Sequence, residues 1–162
     1  MIEKYHLNNH PEREITSRAE IEGILKNGKY TVISMCRENE PYIVTLSYGY
    51  DTGTGSLYFH SAPDGLKLDF IKANPNVCAT VLEDGGYVEN ECEHNYRTVV
   101  LRGTMKILTD PDEKKHGMTI LLGHLEKNAD VVKTKLLKSD GFYSRMAVLK
   151  LEINHIQGKE GK

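Results

Sequence analysis

Apolar positions in this chain recur with two different periods, and the switches between them divide it into elements. Ser17-Arg18-Ala19-Glu20 has the form of a capping box, with Ile21, Ile24 and Leu25 following at helical spacing and Gly28 placed to stop the helix. From Tyr30 the pattern turns β-rich. Tyr30–Cys36 reads as one strand, Arg37-Glu38-Asn39-Glu40 as a polar turn, and Pro41–Tyr50 as a second strand. Asp51–Gly55 is another turn, feeding a third strand from Leu57. Leu66, Phe70 and Ile71 mark one side of a short helix that Asn74-Pro75 ends, and Asn76–Leu82 is a fourth strand.

Beyond that point Glu83–Glu93 is acidic, contains glycine and has no period, so it reads as an exposed loop. Tyr96–Leu108 is a long fifth strand whose Gly103 predicts a bulge or sharp bend. Asp110 with Pro111 opens a helix carrying Met118, Leu121, Leu122 and Leu125 inward. Asn128–Gly141 has no firm pattern. Ala147, Leu149, Leu151 and Ile153 alternate with Val148, Lys150, Glu152 and Asn154 as a half-buried sixth strand, and the folded part is expected to end over His155–Lys159.

Six mostly antiparallel strands with helices over the openings predict a mainly β fold, a small closed barrel. A Rossmann domain is excluded, because strands do not alternate with helices and no GxGxxG follows a first strand. The 162 residues suit a single domain over 1–162, with 1–15 as an arm and 160–162 as a tail. A net charge of −2 gives no basic footprint for nucleic acid. No apolar run reaches membrane length and the start lacks a signal-peptide core, so the expectation is a cytoplasmic protein. Cys36, Cys78 and Cys92 are odd in number and far apart, which predicts no disulfide framework; Cys92 with His94 is too small a ligand set for a metal site.

The chemistry concentrates in Leu57–Lys67, where an apolar strand runs straight into a helix. Such a junction aims backbone N–H groups and the positive end of the helix dipole at one spot, which favours an anion, phosphate above all. Lys67, one turn into the helix, adds a full charge there. His60 is the last strand residue before the turn and can face what the anion is attached to. The plainer alternatives are a strand histidine with a satisfied hydrogen bond and a solvated helix lysine. Arg97 alternates with apolar neighbours and reads equally as an ion-pair residue, and Tyr42, Tyr48, Tyr50 and Tyr58 as cross-strand packing.

Taken together, several pieces resemble the pyridoxamine 5′-phosphate oxidase-like flavoproteins with the FMN-binding split barrel, and more closely the branch that includes the 5-nitroimidazole-resistance reductases. They are Pro41–Tyr48, Leu57–Ala62 with Gly65 and Lys67, Asn74-Pro75-Asn76-Val77, Tyr96–Val100 with Gly103, and Gly158-Lys159. The resemblance runs from about Thr16 to Lys159. It implies a six-stranded antiparallel split barrel and FMN as cofactor. Val44, Thr45, Leu46 and Ser47 would line one edge of the isoalloxazine ring, largely through backbone groups. His60, Ser61 and Ala62 would sit by the ribityl chain and phosphate, with Lys67 on the phosphate. The resemblance also implies homodimers with two flavin sites at the interface, to which Tyr96, Arg97 and Thr98 would contribute from the second copy. The family usually has serine at Thr98 and often threonine at Gln157.

Two function classes follow. In one the protein is an FMN-dependent oxidoreductase passing electrons to a small, possibly nitroaromatic, acceptor, with His60 as the candidate catalytic group. In the other it is a flavin-binding or electron-carrier module. Haem or a deazaflavin are alternative ligands in split-barrel relatives. Pyridoxamine phosphate oxidation needs a second phosphate clamp of basic residues, and the sequence offers no surplus cluster to build one.

Overall fold

A computed structural model of the protein describes residues 10–136, 140–143 and 145–161. After a short turn at Pro11–Arg13 come β1 (Glu14–Ile15), α1 (Arg18–Asn27), β2 (Tyr30–Arg37), β3 (Glu40–Ser47), β4 (Gly49–Asp51), β5 (Ser56–Ser61) and α2 (Leu66–Ala73). They are followed by β6 (Asn76–Val88), β7 (Glu93–Ile107), α3 (Pro111–Leu125), α4 (Ala129–Leu136), α5 (Asp140–Tyr143) and β8 (Ala147–Gly161). The helix starts form as their sequences dictate. Ser17 Oγ accepts from the Glu20 amide at 3.3 Å, and Asp110 Oδ1 accepts from the Asp112 and Glu113 amides at 3.0 and 2.9 Å.

The fold is mainly β. All strand pairs are antiparallel, in the order β3-β2-β6-β7-β8-β5-β4, with β1 on β8. Eight strands are present rather than the expected six. The additional ones are β1 and the split of the expected second strand into β3 and β4 at Tyr48. That split closes the barrel: β3 pairs only with β2 and β4 only with β5, so the two sheet ends are consecutive in the chain. Tyr48 at the seam is fully buried, its amide bonds to Lys29 O at 3.2 Å, and its hydroxyl donates to Leu25 O at 2.7 Å. Burial pushes its phenol pKa up, with the Glu83 carboxylate adding to the effect.

Three further expectations are corrected. Glu83–Val88 is not a loop but the end of β6, paired with Glu93–Arg97 past an irregularity between Asp84 and Gly86. His155–Gly161 does not leave the fold, because it pairs with β7 on one side and Lys159 and Gly158 pair with β1 on the other. In the stretch left unassigned, α4 and α5 form, with residues 137–139 outside the described set. Residues 1–9 of the expected arm and Lys162 also lie outside it.

The irregularity at Gly103 is present, although the additional residue sits in the partner strand. Arg102 faces His155 and Gly103 faces Ile153, leaving Asn154 bulged. A Cβ at Gly103 would lie 2.0 Å from Glu152 O, so only glycine permits this approach. Inside the barrel Leu57, Phe59, Val99, Leu101, Leu149 and Leu151 are all fully buried. A second cluster (Tyr58, Leu108, Met118, Leu121, Tyr143, Val148) lies where α3 covers the outside of β5 and β8. No helix among the described residues is long and apolar enough to cross a membrane.

Candidate functional site

β5 delivers Ser61 to one end of the barrel and α2 starts five residues later. Gly65, immediately before α2, has φ 123°, a conformation costly for other residues, and no side chain caps the helix. Lys67 Nζ donates to Ser61 Oγ at 2.7 Å, which leaves the hydroxyl proton of Ser61 free to donate elsewhere. Among the described residues Lys67 has no carboxylate partner. An unneutralised ammonium, a hydroxyl donor and an uncapped helix start therefore converge on one spot, a site suited to a phosphate-sized anion.

His60 does not join them. Strand alternation puts Leu57, Phe59 and Ser61 on the barrel-interior face and Tyr58 and His60 on the face toward α3. His60 is exposed and stands opposite Val148. Ala62, just past the strand, is exposed.

In β3, Val44 and Leu46 pack against the core, whereas Thr45 and Ser47 point outward and are exposed. β3 has a strand partner on one side only, so alternate N–H and C=O groups along its other edge are available to a ligand. Contacts to Val44 and Leu46 must therefore be backbone contacts.

The Tyr96–Thr98 segment divides by face. Thr98 Oγ1 donates to Val81 O at 3.0 Å and lies 2.9 Å from Thr80 Oγ1. Tyr96 and Thr98 line a cavity of about 440 Å3 with Thr80, Leu82, Asp84 and His94. At its rim His94 bonds Asp84 at 2.7 Å, and this bond, with the Gly86 amide, holds the Asp84 carboxyl below its usual range. Arg97 points to the other face, where its Nε donates to Glu83 at 2.9 Å from the directly opposite position on β6. Arg97 thus forms the ion pair that was one of the two readings its sequence left open. The sequence reading missed both Thr80 and Glu83; the alternation of β6 places each, once the register with β7 is known.

The two groups of candidates sit on different strands: Ser61 ends β5 and pairs with Ala147 of β8, whereas Thr98 faces Leu82 of β6 and Lys159 of β8. Cys92 and His94 gain no third ligand: among the described residues no group of three His, Cys, Asp or Glu could hold a metal.

Comparison with known proteins agrees with the fold. The family profile described as pyridoxamine 5′-phosphate oxidase matches residues 17–160. A candidate 5-nitroimidazole antibiotic resistance protein from Bacteroides thetaiotaomicron superposes with a TM-score of 0.78 at 26% identity, covering 91% of this chain and 86% of that one. An FAD and haem binding protein from Mycobacterium smegmatis gives 0.76 at 18% identity, over 93% of this chain and 74% of that one. An FAD-binding protein from Mesorhizobium loti gives 0.67 at 23% identity, over 93% and 98%. In sequence, an uncharacterized protein of Rhizobium meliloti is 33% identical over 69 residues, so the match spans 43% of this chain and 44% of that relative.

Proposed function

The chain belongs to the pyridoxamine 5′-phosphate oxidase family, and from this we propose that it is an FMN-dependent oxidoreductase acting on a small acceptor, with its site built between two copies of the chain. The observation that carries the reading is the Ser61–Lys67 junction: a cation with no carboxylate partner among the described residues, bonded to a hydroxyl beside an uncapped helix start. The 5-nitroimidazole resistance relative, similar over nine-tenths of the chain, supports a nitroaromatic acceptor.

Bound FMN would supply the redox chemistry, accepting electrons from a donor and delivering them to the acceptor. The chain's own part is binding and orientation. Lys67 and Ser61 would hold the phosphate, and the free edge of β3 at Val44–Ser47 would meet the polar edge of the ring. Tyr96 and Thr98 would close the site from a second copy. Tyr30, Ile43 and Leu82, 63, 64 and 60% exposed, give the outer sheet face the apolar area such an association needs. His60, exposed beside the junction but on the other strand face, is retained as the candidate proton donor or acceptor. Arg97 is left out, since Glu83 already neutralises it. Pyridoxamine phosphate oxidation is disfavoured, because the sequence offers no surplus Arg/Lys cluster for a second phosphate clamp.

The test is the purified full chain. A yellow protein whose released flavin chromatographs as FMN supports the cofactor; released FAD, a haem Soret band, or a colourless protein that binds no added FMN overturns it. Anaerobic reduction followed by mixing with a nitroimidazole separates enzyme from carrier. Reoxidation no faster than that of free reduced FMN assigns the carrier role. Light scattering that finds only monomer, with flavin bound, removes the two-copy site.

A further inference from the structure

The helix that carries Lys67 is fastened to the β2–β3 hairpin by side chains that take no part in the junction itself. Phe70, about one turn beyond Lys67 in α2, is fully buried. Its ring centroid lies 4.9 Å from that of Tyr42 in β3, with the two planes tilted by 38°. The guanidinium of Arg37, the last residue of β2, stands over the same ring at 4.6 Å. Glu40, opposite Arg37 across the hairpin turn, accepts from that guanidinium at 3.0 Å. At the far end of α2 the Asn74 side-chain amide donates to Cys36 O at 2.9 Å.

β3 pairs with a strand on one side only, so its free edge at Val44–Ser47 has no second strand to fix it. Tyr42 lies two residues before Val44 on the same inward face and ties β3 to α2. Its hydroxyl makes no hydrogen bond among the described residues, so the ring is what it contributes. Alternation in β2 puts Arg37 on the face of Ile33 and Met35, and Phe70 is in the core. All three side chains therefore lie away from the outer sheet face that a second copy would cover. Any apolar side chain can fill space, whereas an aromatic pair with a guanidinium over one ring also prefers a geometry. FMN is a ligand with two ends here: its phosphate needs α2 and the polar edge of its ring needs β3. Once one end is engaged, the effective concentration of the other site depends on how well the spacing between them is held.

We propose that Tyr42, Phe70 and Arg37 are positioning residues that set the phosphate-binding helix against the ring-binding strand, so that one FMN spans both. The proposal rests on the flavin reading above. The three residues act through Lys67 and through the backbone of β3, without touching the cofactor.

The test is fluorescence titration of the full chain with FMN and with riboflavin. It compares the parent, Tyr42→Leu, Tyr42→Phe, Arg37→Gln, and Lys67→Ala with and without Tyr42→Leu. Tyr42→Leu and Arg37→Gln should each weaken FMN about tenfold, while riboflavin, which engages the strand alone, changes less than about twofold. Tyr42→Phe keeps the ring and should bind FMN as the parent does. In Lys67→Ala the phosphate end is already released, so adding Tyr42→Leu should change FMN affinity less than about twofold. Arg37 is 36% exposed, so Arg37→Gln carries the test if Tyr42→Leu does not fold. Equal weakening of both ligands would make the stack a support for the fold at large and overturn the proposal. So would a second loss of full size in the Lys67→Ala background, or a Tyr42→Phe as weak as Tyr42→Leu. FMN affinity unchanged in Tyr42→Leu and Arg37→Gln overturns it too, with the flavin reading left intact. A parent that binds neither flavin overturns the flavin reading, and the proposal with it.

Discussion

Replacing Lys67 with alanine gives the sharpest test of the junction, because it moves cofactor binding and stability in ways that no purely structural lysine would. The ammonium sits in the first turn of α2, where the helix dipole disfavours a cation by about 0.3–1 kcal/mol. Its bond to Ser61 at 2.7 Å returns about 0.5–1.5 kcal/mol. These terms nearly offset, so the flavin-free protein should keep its unfolding midpoint to within about 1 kcal/mol. Binding of FMN behaves differently. Loss of a charge-assisted contact to the phosphate costs about 1.5–3 kcal/mol, a rise of roughly 10- to 150-fold in Kd. Riboflavin, which has the same ring and ribityl chain but no phosphate, should bind the two proteins equally. Flavin fluorescence titrations of both ligands against both proteins measure all four constants. Equal weakening for FMN and riboflavin, or no weakening for either, would refute the assignment of Lys67 to the phosphate.

Three other predictions concern the frame around the site. Gly103→Ala drives a methyl to 2.0 Å from Glu152 O, a backbone atom between two paired strands, and should cost on the order of 3 kcal/mol; an unchanged urea midpoint would contradict the tight approach at the bulge. Tyr48→Phe leaves the buried Leu25 carbonyl without its donor at the barrel seam and should lower stability by about 1–2 kcal/mol, read by the same denaturation curve. His124 stacks on Tyr48 and bonds Gly28 O at 2.6 Å; burial holds its pKa below the ordinary 6.5, with Lys29 adding to that and the Gly28 bond opposing it. The unfolded chain therefore takes up this proton first, so stability should fall as pH drops through 6.5, and His124→Gln should flatten that slope between pH 7 and 5.5.

Much of the fold is legible because it is local. The Ser17 and Asp110 caps, the alternation in β2, and the strand-to-helix passage at Ser61–Leu66 depend on residues within a few positions of each other. The misreadings share one cause. Glu83–Val88 and His155–Gly161 are polar or glycine-containing and carry no apolar alternation, so their own sequences do not favour a strand. They are extended because β7 runs alongside both and supplies the missing hydrogen bonds. The division at Tyr48 was likewise hidden, since Pro41–Tyr50 reads as one uniform strand until β2 and β5 claim its two halves.

The same distinction governs the site. By itself the sequence determined the mainly β character, the family, and the pairing of a hydroxyl at Ser61 with a cation at Lys67, because six residues and one turn suffice to bring them together. Only the tertiary structure decided which side chains share a face and what charge each one meets. It turned His60 away from Ser61, gave Arg97 to Glu83, and set Thr98 beside Thr80. Each of these depends on register between strands far apart in the chain, where a shift of one residue exchanges the two faces, and no local pattern encodes that alignment.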